Sequence, residues 1–200
     1  MSFNRKIIIG FISFVPTVYF LSFLYFCKAA PPIASACDLS HIQTGDLILS
    51  AGESFKSRIV KTFEKSTSNT PDYSHIGVFI NTGDSVYIAH MSIDEGYIKR
   101  EGLTDFIENN KVTGYDIYRN ENPALHTEKL RNIIDSIADT RKPFDRKFDI
   151  DDEDAYYCTE LVYKSFLQAG INEMQKIKYD KYLYPNDIVN SGLFIKQEKQ

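Results

Sequence analysis

Cys158 stands where an acidic loop, residues 145–155, gives way to a segment with helical periodicity. The first backbone N–H groups of a helix have no partner inside it and carry the positive end of its dipole, so a thiolate there is favoured over a thiol. The sequence therefore predicts that Cys158 is a nucleophile. The alternative is a free cysteine buried as a small hydrophobic residue.

A thiol nucleophile needs a base, and His75 is placed to supply one. It lies in the β-branched and aromatic run YSHIGVFI, residues 73–80, which is typical of a buried strand. A cysteine at a helix start and a histidine on a strand form a plausible thiol hydrolase pair. Taken alone, a histidine in an apolar strand is more often a core residue with satisfied hydrogen bonds.

His90 is the predicted third member of the site. Residues 81–84 (NTGD) have turn chemistry and residues 85–90 (SVYIAH) read as the next strand, so the two strands are predicted to form an antiparallel hairpin. Paired strands lie about 5 Å apart, which brings positions near 88–90 beside His75. A group that holds the ring of His75 lets one ring nitrogen face the sulfur. We assign no role to His41 or His126.

Metal and cofactor chemistry find little support in the spacing. One cysteine and two histidines are possible zinc ligands, but no C-x-x-C or H-x-x-x-H pattern accompanies them. The acidic residues of 149–154 lack the glycine and the distal glutamate of a calcium loop. A solvated loop that complements the dipole of the following helix is the better interpretation. We therefore predict no metal and no cofactor.

The N-terminal residues have the pattern of a membrane or export segment. Arg5 and Lys6 precede residues 7–27, which carry no charge and are long enough to cross a bilayer as a helix. Positive charge before the apolar run predicts an exported, extracytoplasmic or periplasmic body. Three alternatives stay open: a retained inner-membrane anchor, a signal peptide cut after residues 34–36 (ASA), or a lipid modification at Cys37.

We divide the chain into an N-terminal segment with linker, residues 1–36, and one domain, residues 37–200. The domain holds all 27 acidic residues and all but three of the 23 Lys and Arg, so its net charge is about −7. Its basic residues are scattered, which argues against a nucleic-acid partner. Cys158 has no obvious disulfide partner there, and an unpaired thiol in an exported domain suggests chemistry.

The remaining elements follow from apolar spacing and turn residues. A helix is predicted at residues 55–63, and a second begins with Asn122 as N-cap and Pro123 in its first turn. The Cys158 helix is predicted to end at Gly170. Further strands are predicted at residues 44–49, 96–100, 114–119 and 192–195, with short helical segments at 103–108 and within 184–189.

Four ordered motifs carry a resemblance to a known family. They are TGDLI at 44–48, YSHIGV at 73–78, YCTELVY at 157–163 and PNDIVNS at 185–191. The set resembles the permuted NlpC/P60 hydrolases of the YaeF/YiiX group over residues 42–195. In ordinary papain-like chains the cysteine helix precedes the histidine strand, whereas here the order is reversed, as in that group.

The resemblance implies an α+β, circularly permuted papain-like fold in which the helix bearing Cys158 packs on an antiparallel sheet bearing His75. Cys158 would be the nucleophile and His75 the general base of an amidase or peptidase that forms an acyl-enzyme. The third position in that group is commonly glutamate, and this chain has His90 there. Tyr73 and Tyr157 each adjoin a catalytic residue and are our candidates for a second oxyanion donor.

The substrate stays open between two classes, a cell-wall peptide or other small amide and an acyl lipid held by an amide, ester or thioester. Permuted relatives include lipid acyl-transferring enzymes, and the predicted N-terminal segment brings the domain to a membrane. A non-catalytic binding module on the same fold is the third hypothesis.

Overall fold

The computed structural model describes residues 39–52, 73–122 and 125–198. The predicted N-terminal segment, the helix at 55–63, Cys37 and Pro123 lie outside the described residues. The described residues belong to one compact unit. Its strands are β1 (Leu47–Gly52), β2 (His75–Asn81), β3 (Val86–Ser92), β4 (Tyr97–Glu101), β5 (Val112–Arg119) and β6 (Ile195–Gln197). Its helices are α1 (Leu103–Asn109), α2 (Thr127–Asp139), α3 (Cys158–Gln168) and α4 (Pro185–Asn190), with a 3₁₀ turn at Asn172–Lys176.

All six strands form one antiparallel sheet in the order β4-β3-β2-β1-β5-β6. The predicted hairpin is confirmed, since β2 pairs with β3 from Val78 opposite Ala89 to Asn81 opposite Val86. The fold class is therefore α+β with an antiparallel sheet, as predicted.

Each face of the sheet has its own core because side chains alternate along every strand. On one face, α2 and α3 bury Leu130, Ile134, Leu161 and Phe166 with the sheet residues Ile76, Val78 and Met91. On the other face, Phe106 of α1 packs with Ile48, Phe79 and Ile88. Among the strands, helix α3 packs most against β2 and then against β3, the two strands that carry the predicted histidines.

Helix α2 begins later than the sequence predicted. Its first residue is Thr127 and its N-cap is His126, so the N-cap at Asn122 was wrong. The backbone N–H of His126 donates to the carbonyl of Ala169 at 3.2 Å, beyond the end of α3, and that of Leu125 donates to Asn122 at 3.0 Å. Because these two N–H groups bind partners outside α2, the helix begins after them.

The ends of the two C-terminal elements also differ in part from prediction. Helix α3 stops at Gln168, and Gly170 follows with φ 115°, a left-handed conformation that glycine adopts without a steric penalty. That stop was predicted. The last strand begins at Ile195, where the predicted strand ended.

Among the described residues, no helix has both the length and the apolar character needed to cross a membrane. The predicted span at residues 7–27 lies outside them.

Candidate active site

Cys158 is the first residue of α3, as the sequence predicted. The carboxylate of Glu160 fixes this helix start, because it accepts the backbone N–H of the N-cap residue Tyr157 at 3.2 Å. The side chain of Glu160 is fully buried and pairs with Lys164 at 2.7 Å. The buried pair of Glu160 and Lys164 therefore helps to hold the helix start, and with it Cys158, in place.

The sulfur of Cys158 is partly buried and lies against the start of β2. Burial raises the pKa of the thiol, opposed by the Thr159 hydroxyl and by the backbone N–H groups of Ile76, Thr159 and Cys158 itself. We expected the helix start to favour a thiolate. Loss of solvation outweighs it, because a buried thiolate has too few donors to replace water.

His75 is the first residue of β2, and it precedes the residue whose N–H reaches the sulfur. The β2–β3 pairing begins at Val78, so Ile76 lies beyond it. The backbone of β2 beside His75 thus contacts the sulfur, and the ring of His75 itself contacts His90 and Phe106.

His90 contacts His75 as the hairpin predicted. The Nε2 atom of His75 and the Nδ1 atom of His90 are 2.9 Å apart, and the two rings meet edge to face. The contact is diagonal, since His90 lies beside Gly77 rather than directly opposite His75. A Cβ atom at Gly77 would lie 3.2 Å from the Cβ of His90 and 2.7 Å from Cγ2 of Ile88. Glycine at position 77 leaves room for His90 to reach across.

Glu101 extends this chain of contacts, and the sequence analysis missed it. Its Oε2 atom lies 2.9 Å from Nε2 of His90, whose side chain is only 1% exposed. Its Oε1 atom accepts from Nδ2 of Asn109 at 2.8 Å and from the ammonium of Lys99. Burial alone would raise the pKa of Glu101, but the hydrogen bonds from His90, Lys99 and Asn109 outweigh it and lower the pKa to about 2.

The contacts cross three strands in diagonal steps. His90 pairs with Lys99 across β3 and β4, and Glu101 stands two residues further along β4. The predicted strand at 96–100 ended one residue before Glu101. Nothing in the charged sequence YIKRE distinguishes a buried carboxylate from a solvated one; the alternation from Lys99 to Glu101 on one face was the only available signal.

Phe106 of α1 covers the two histidines. Its ring stacks on His75 with centroids 5.8 Å apart and meets His90 edge to face at 4.9 Å. Burial lowers the pKa of His75, and the neighbouring His90 lowers it further, to about 3, although Glu101 opposes this. His75 is therefore neutral near pH 7 and carries a lone pair that can accept a proton.

The two tyrosines proposed as oxyanion donors are both buried. The hydroxyl of Tyr73 donates to Oδ2 of Asp116 at 2.6 Å and lies 3.2 Å from the hydroxyl of Tyr118. The hydroxyl of Tyr157 lies in the core beside the backbone of Leu183, and burial raises its pKa. An oxyanion role for either residue stays a prediction.

Chemically, the arrangement combines a thiol, a neutral imidazole and a carboxylate linked through a second imidazole. Such a set contains a possible nucleophile, a base and a carboxylate that can stabilise charge on the base.

The sequence matches a family model over residues 41–199. The model describes permuted papain-like amidase enzymes, the YaeF/YiiX, C92 family. The chain belongs to this family. It is therefore an enzyme of the thiol hydrolase and amidase class rather than a non-catalytic binding module. No curated protein matches the chain.

Among solved structures, the C92 chain is similar to a crystal structure from Escherichia coli O157:H7 described as the metalloprotein yiiX. The TM-score is 0.61 at 19% sequence identity, and the match covers 79% of this chain and 97% of that one. This similarity supports the shared fold.

The donor set at the site does not fit a metal ion. Within the part of the chain that the structure describes, no three His, Cys, Asp or Glu side chains converge to hold one. His75 and His90 spend three of their four ring nitrogens on each other and on Glu101.

Proposed function

We propose that this C92 enzyme cleaves amide bonds with Cys158 as nucleophile and His75 as general base. One observation carries the proposal: Nε2 of His75 is held by His90 at 2.9 Å, at the end of β2 where the N–H of the next residue contacts the sulfur of Cys158. The Nδ1 atom of His75 is then the nitrogen that takes the thiol proton.

The reaction proceeds through a thioester. As the proton moves from sulfur to Nδ1 of His75, sulfur bonds to the carbonyl carbon and the carbonyl electrons move onto oxygen. The tetrahedral species collapses, the C–N bond breaks, and His75 returns the proton to the leaving amine. A water molecule then gives a proton to His75 and attacks the thioester. Finally the C–S bond breaks, the carboxylic acid product leaves, and sulfur takes the proton back from His75, which restores the thiol.

The start of α3 supplies one donor for the developing oxyanion. Cys158 is the first helical residue, so its backbone N–H has no partner within the helix. A well-placed donor of this kind contributes roughly 3 kcal/mol to the transition state. We assign the second donor to neither tyrosine, because the Tyr73 hydroxyl is already donated to Asp116 and the Tyr157 hydroxyl lies in the core beside Leu183.

The first substrate class is a cell-wall peptide or another small amide. The second is an acyl lipid, and two half-buried aromatic residues beside the buried Tyr157 favour it. Phe148 packs against Tyr157 with ring centroids 5.3 Å apart and against Tyr182 at 6.2 Å, so apolar surface adjoins the residue next to the nucleophile. An acyl chain gains free energy from such a surface, whereas a polar peptide does not.

The test uses the full chain, with Cys158→Ser and His75→Ala as variants. Wild-type protein is incubated with small peptidyl amides, with cell-wall peptides and with N-acyl amides, and intact-mass spectrometry detects the acyl-enzyme. We expect hydrolysis to be lost with Cys158→Ser and reduced about 100-fold or more with His75→Ala. The substitution His126→Ala, on an exposed histidine outside the site, is the matched control. Hydrolysis that survives Cys158→Ser would contradict the assignment.

A further inference from the structure

The two histidines and Glu101 form a hydrogen-bonded chain whose direction decides where the proton of His75 sits. A neutral imidazole has one N–H donor and one bare acceptor nitrogen. The His75–His90 contact can therefore be made in two ways, with the proton donated by either ring. Only one of them leaves a lone pair on Nδ1 of His75.

The surroundings of Glu101 fix that direction. An ionised carboxylate only accepts, so the contact at 2.9 Å requires Nε2 of His90 to carry the hydrogen. Nδ1 of His90 is then the acceptor, and Nε2 of His75 must donate to it. We propose that Glu101 is a positioning residue which, through His90, holds His75 as the Nε2–H tautomer and keeps Nδ1 free to take the thiol proton of Cys158.

Two further contacts keep the carboxylate in this role. Asn109 at 2.8 Å and the Lys99 ammonium both donate to Oε1, so Oε2 is reserved for His90. The carboxylate side chain is 5% exposed and His90 is 1% exposed, so water does not compete for the contact. The low pKa of Glu101, about 2, agrees with an ionised group throughout the working pH range.

The same chain acts during the reaction. When His75 becomes an imidazolium, its Nε2–H donates more strongly to His90, and the Glu101 carboxylate stabilises the charge through that ring.

The substitution Glu101→Gln tests the proposal because it reverses the donor-to-acceptor direction of the hydrogen bonds with almost no change in side-chain shape. Asn109 and Lys99 only donate toward position Oε1, so the glutamine oxygen faces them and its NH₂ group faces His90. His90 must then accept at Nε2 and donate from Nδ1, which places the hydrogen of His75 on Nδ1. Glu95→Gln is the matched control, since Glu95 is a neighbouring, more exposed carboxylate on the same hairpin, 3.8 Å from Lys99.

The first readout is the tautomer of His75 in full-length protein labelled with ¹⁵N-histidine, measured by long-range ¹H–¹⁵N NMR. We expect Nε2–H in the wild type and in Glu95→Gln, and Nδ1–H in Glu101→Gln. Nδ1–H in the wild type would overturn the proposal without any variant, so a misfolded variant does not remove the test.

The second readout is the alkylation rate of Cys158 by iodoacetamide at pH 7, followed by mass spectrometry of its peptide. We expect a loss of about tenfold or more in Glu101→Gln and no change in Glu95→Gln. An unchanged rate together with an unchanged tautomer in folded Glu101→Gln would also overturn the proposal. The catalytic importance of the tautomer rests on the proposed function, but both readouts work without a substrate. If His75 is the Nε2–H tautomer but the protein hydrolyses no amide, the proposed function is rejected and the role of Glu101 in positioning His75 is retained.

Discussion

Gly77 is the residue that allows His90 to reach His75. The substitution Gly77→Ala places a methyl group 2.7 Å from Ile88 and 3.2 Å from the Cβ of His90, so both side chains must move. We expect a loss of roughly 1–3 kcal/mol in the free energy of unfolding and slower alkylation of Cys158. Gly114→Ala is the control, because nothing lies within 4 Å of a Cβ there. Equal effects of the two substitutions in urea unfolding and alkylation would refute this account of Gly77.

The resting state of Cys158 is a second prediction for a single residue. Burial raises the pKa of the thiol and lowers that of His75, so the pair rests as thiol and neutral imidazole. We expect the alkylation rate of Cys158 to titrate above the free-thiol value of about 8.5. The same peptide in urea-unfolded protein gives the reference. A midpoint below the reference would mean that the helix start dominates and that the pair rests as an ion pair.

Sequence patterns predicted the helix start at Cys158 and the strands of His75 and His90 because each residue occurs at a position that turn and periodicity rules define well. Glu101 could not be placed in the same way. Its burial depends on α1, which brings Phe106 and Asn109 over the strand, and a local pattern contains no information on that packing.

At the scale of the element, the start of α3 depends on the buried pair of Glu160 and Lys164. Lys164 also donates to the carbonyl of Asp152 at 2.8 Å, which ties the acidic loop to the helix. The substitution Lys164→Met leaves Glu160 buried without its charge partner. We expect a loss of about 3 kcal/mol in the free energy of unfolding in urea at pH 8, where Glu160 is ionised.

Arg131 provides the comparison for this element. It pairs with Glu128, whose side chain is 75% exposed, on α2. Pairs of this kind contribute less than about 1 kcal/mol, so Arg131→Met should have little effect. A loss for Lys164→Met no larger than that for Arg131→Met would show that the buried pair does not hold the helix start.

The two longest of the described helices show which element boundaries a sequence can predict. The α3 boundaries were predicted correctly because a glycine in the left-handed conformation ends the helix locally. The start of α2 was predicted wrongly, because the hydrogen bond from His126 to Ala169 joins residues 43 positions apart. Capping rules consider only residues close to the helix end.

For the whole molecule, Glu101 predicts a loss of stability in acid. Its folded pKa of about 2 lies below the reference value of 4.5, so its contribution is complete above pH 4.5 and is lost as the pH falls through 2. We expect the difference in unfolding free energy between wild type and Glu101→Gln to shrink by roughly 2 kcal/mol between pH 5 and pH 3.

The pKa of Glu160 shifts in the opposite direction on folding, so its effect on stability has the opposite pH dependence and serves as the control. Burial raises its pKa to about 7, so its contribution is present below pH 4.5 and is lost as the pH rises through 7. The difference in unfolding free energy between wild type and Glu160→Gln should therefore change mainly between pH 4.5 and 7. If the difference in unfolding free energy between wild type and Glu101→Gln does not change below pH 5, the low pKa of the Glu101 carboxyl is contradicted.

The contacts from His75 to His90 and from His90 to Glu101 each join residues that are offset along neighbouring strands. The register of β2, β3 and β4 therefore aligns the three side chains. One residue inserted in the turn between β3 and β4 would send Glu101 to the opposite face of the sheet, whereas two inserted residues would restore the face but shift the carboxylate along the strand. The length of an outlying hairpin turn, far along the chain from the thiol, is thus as tightly constrained as the identity of the histidines themselves.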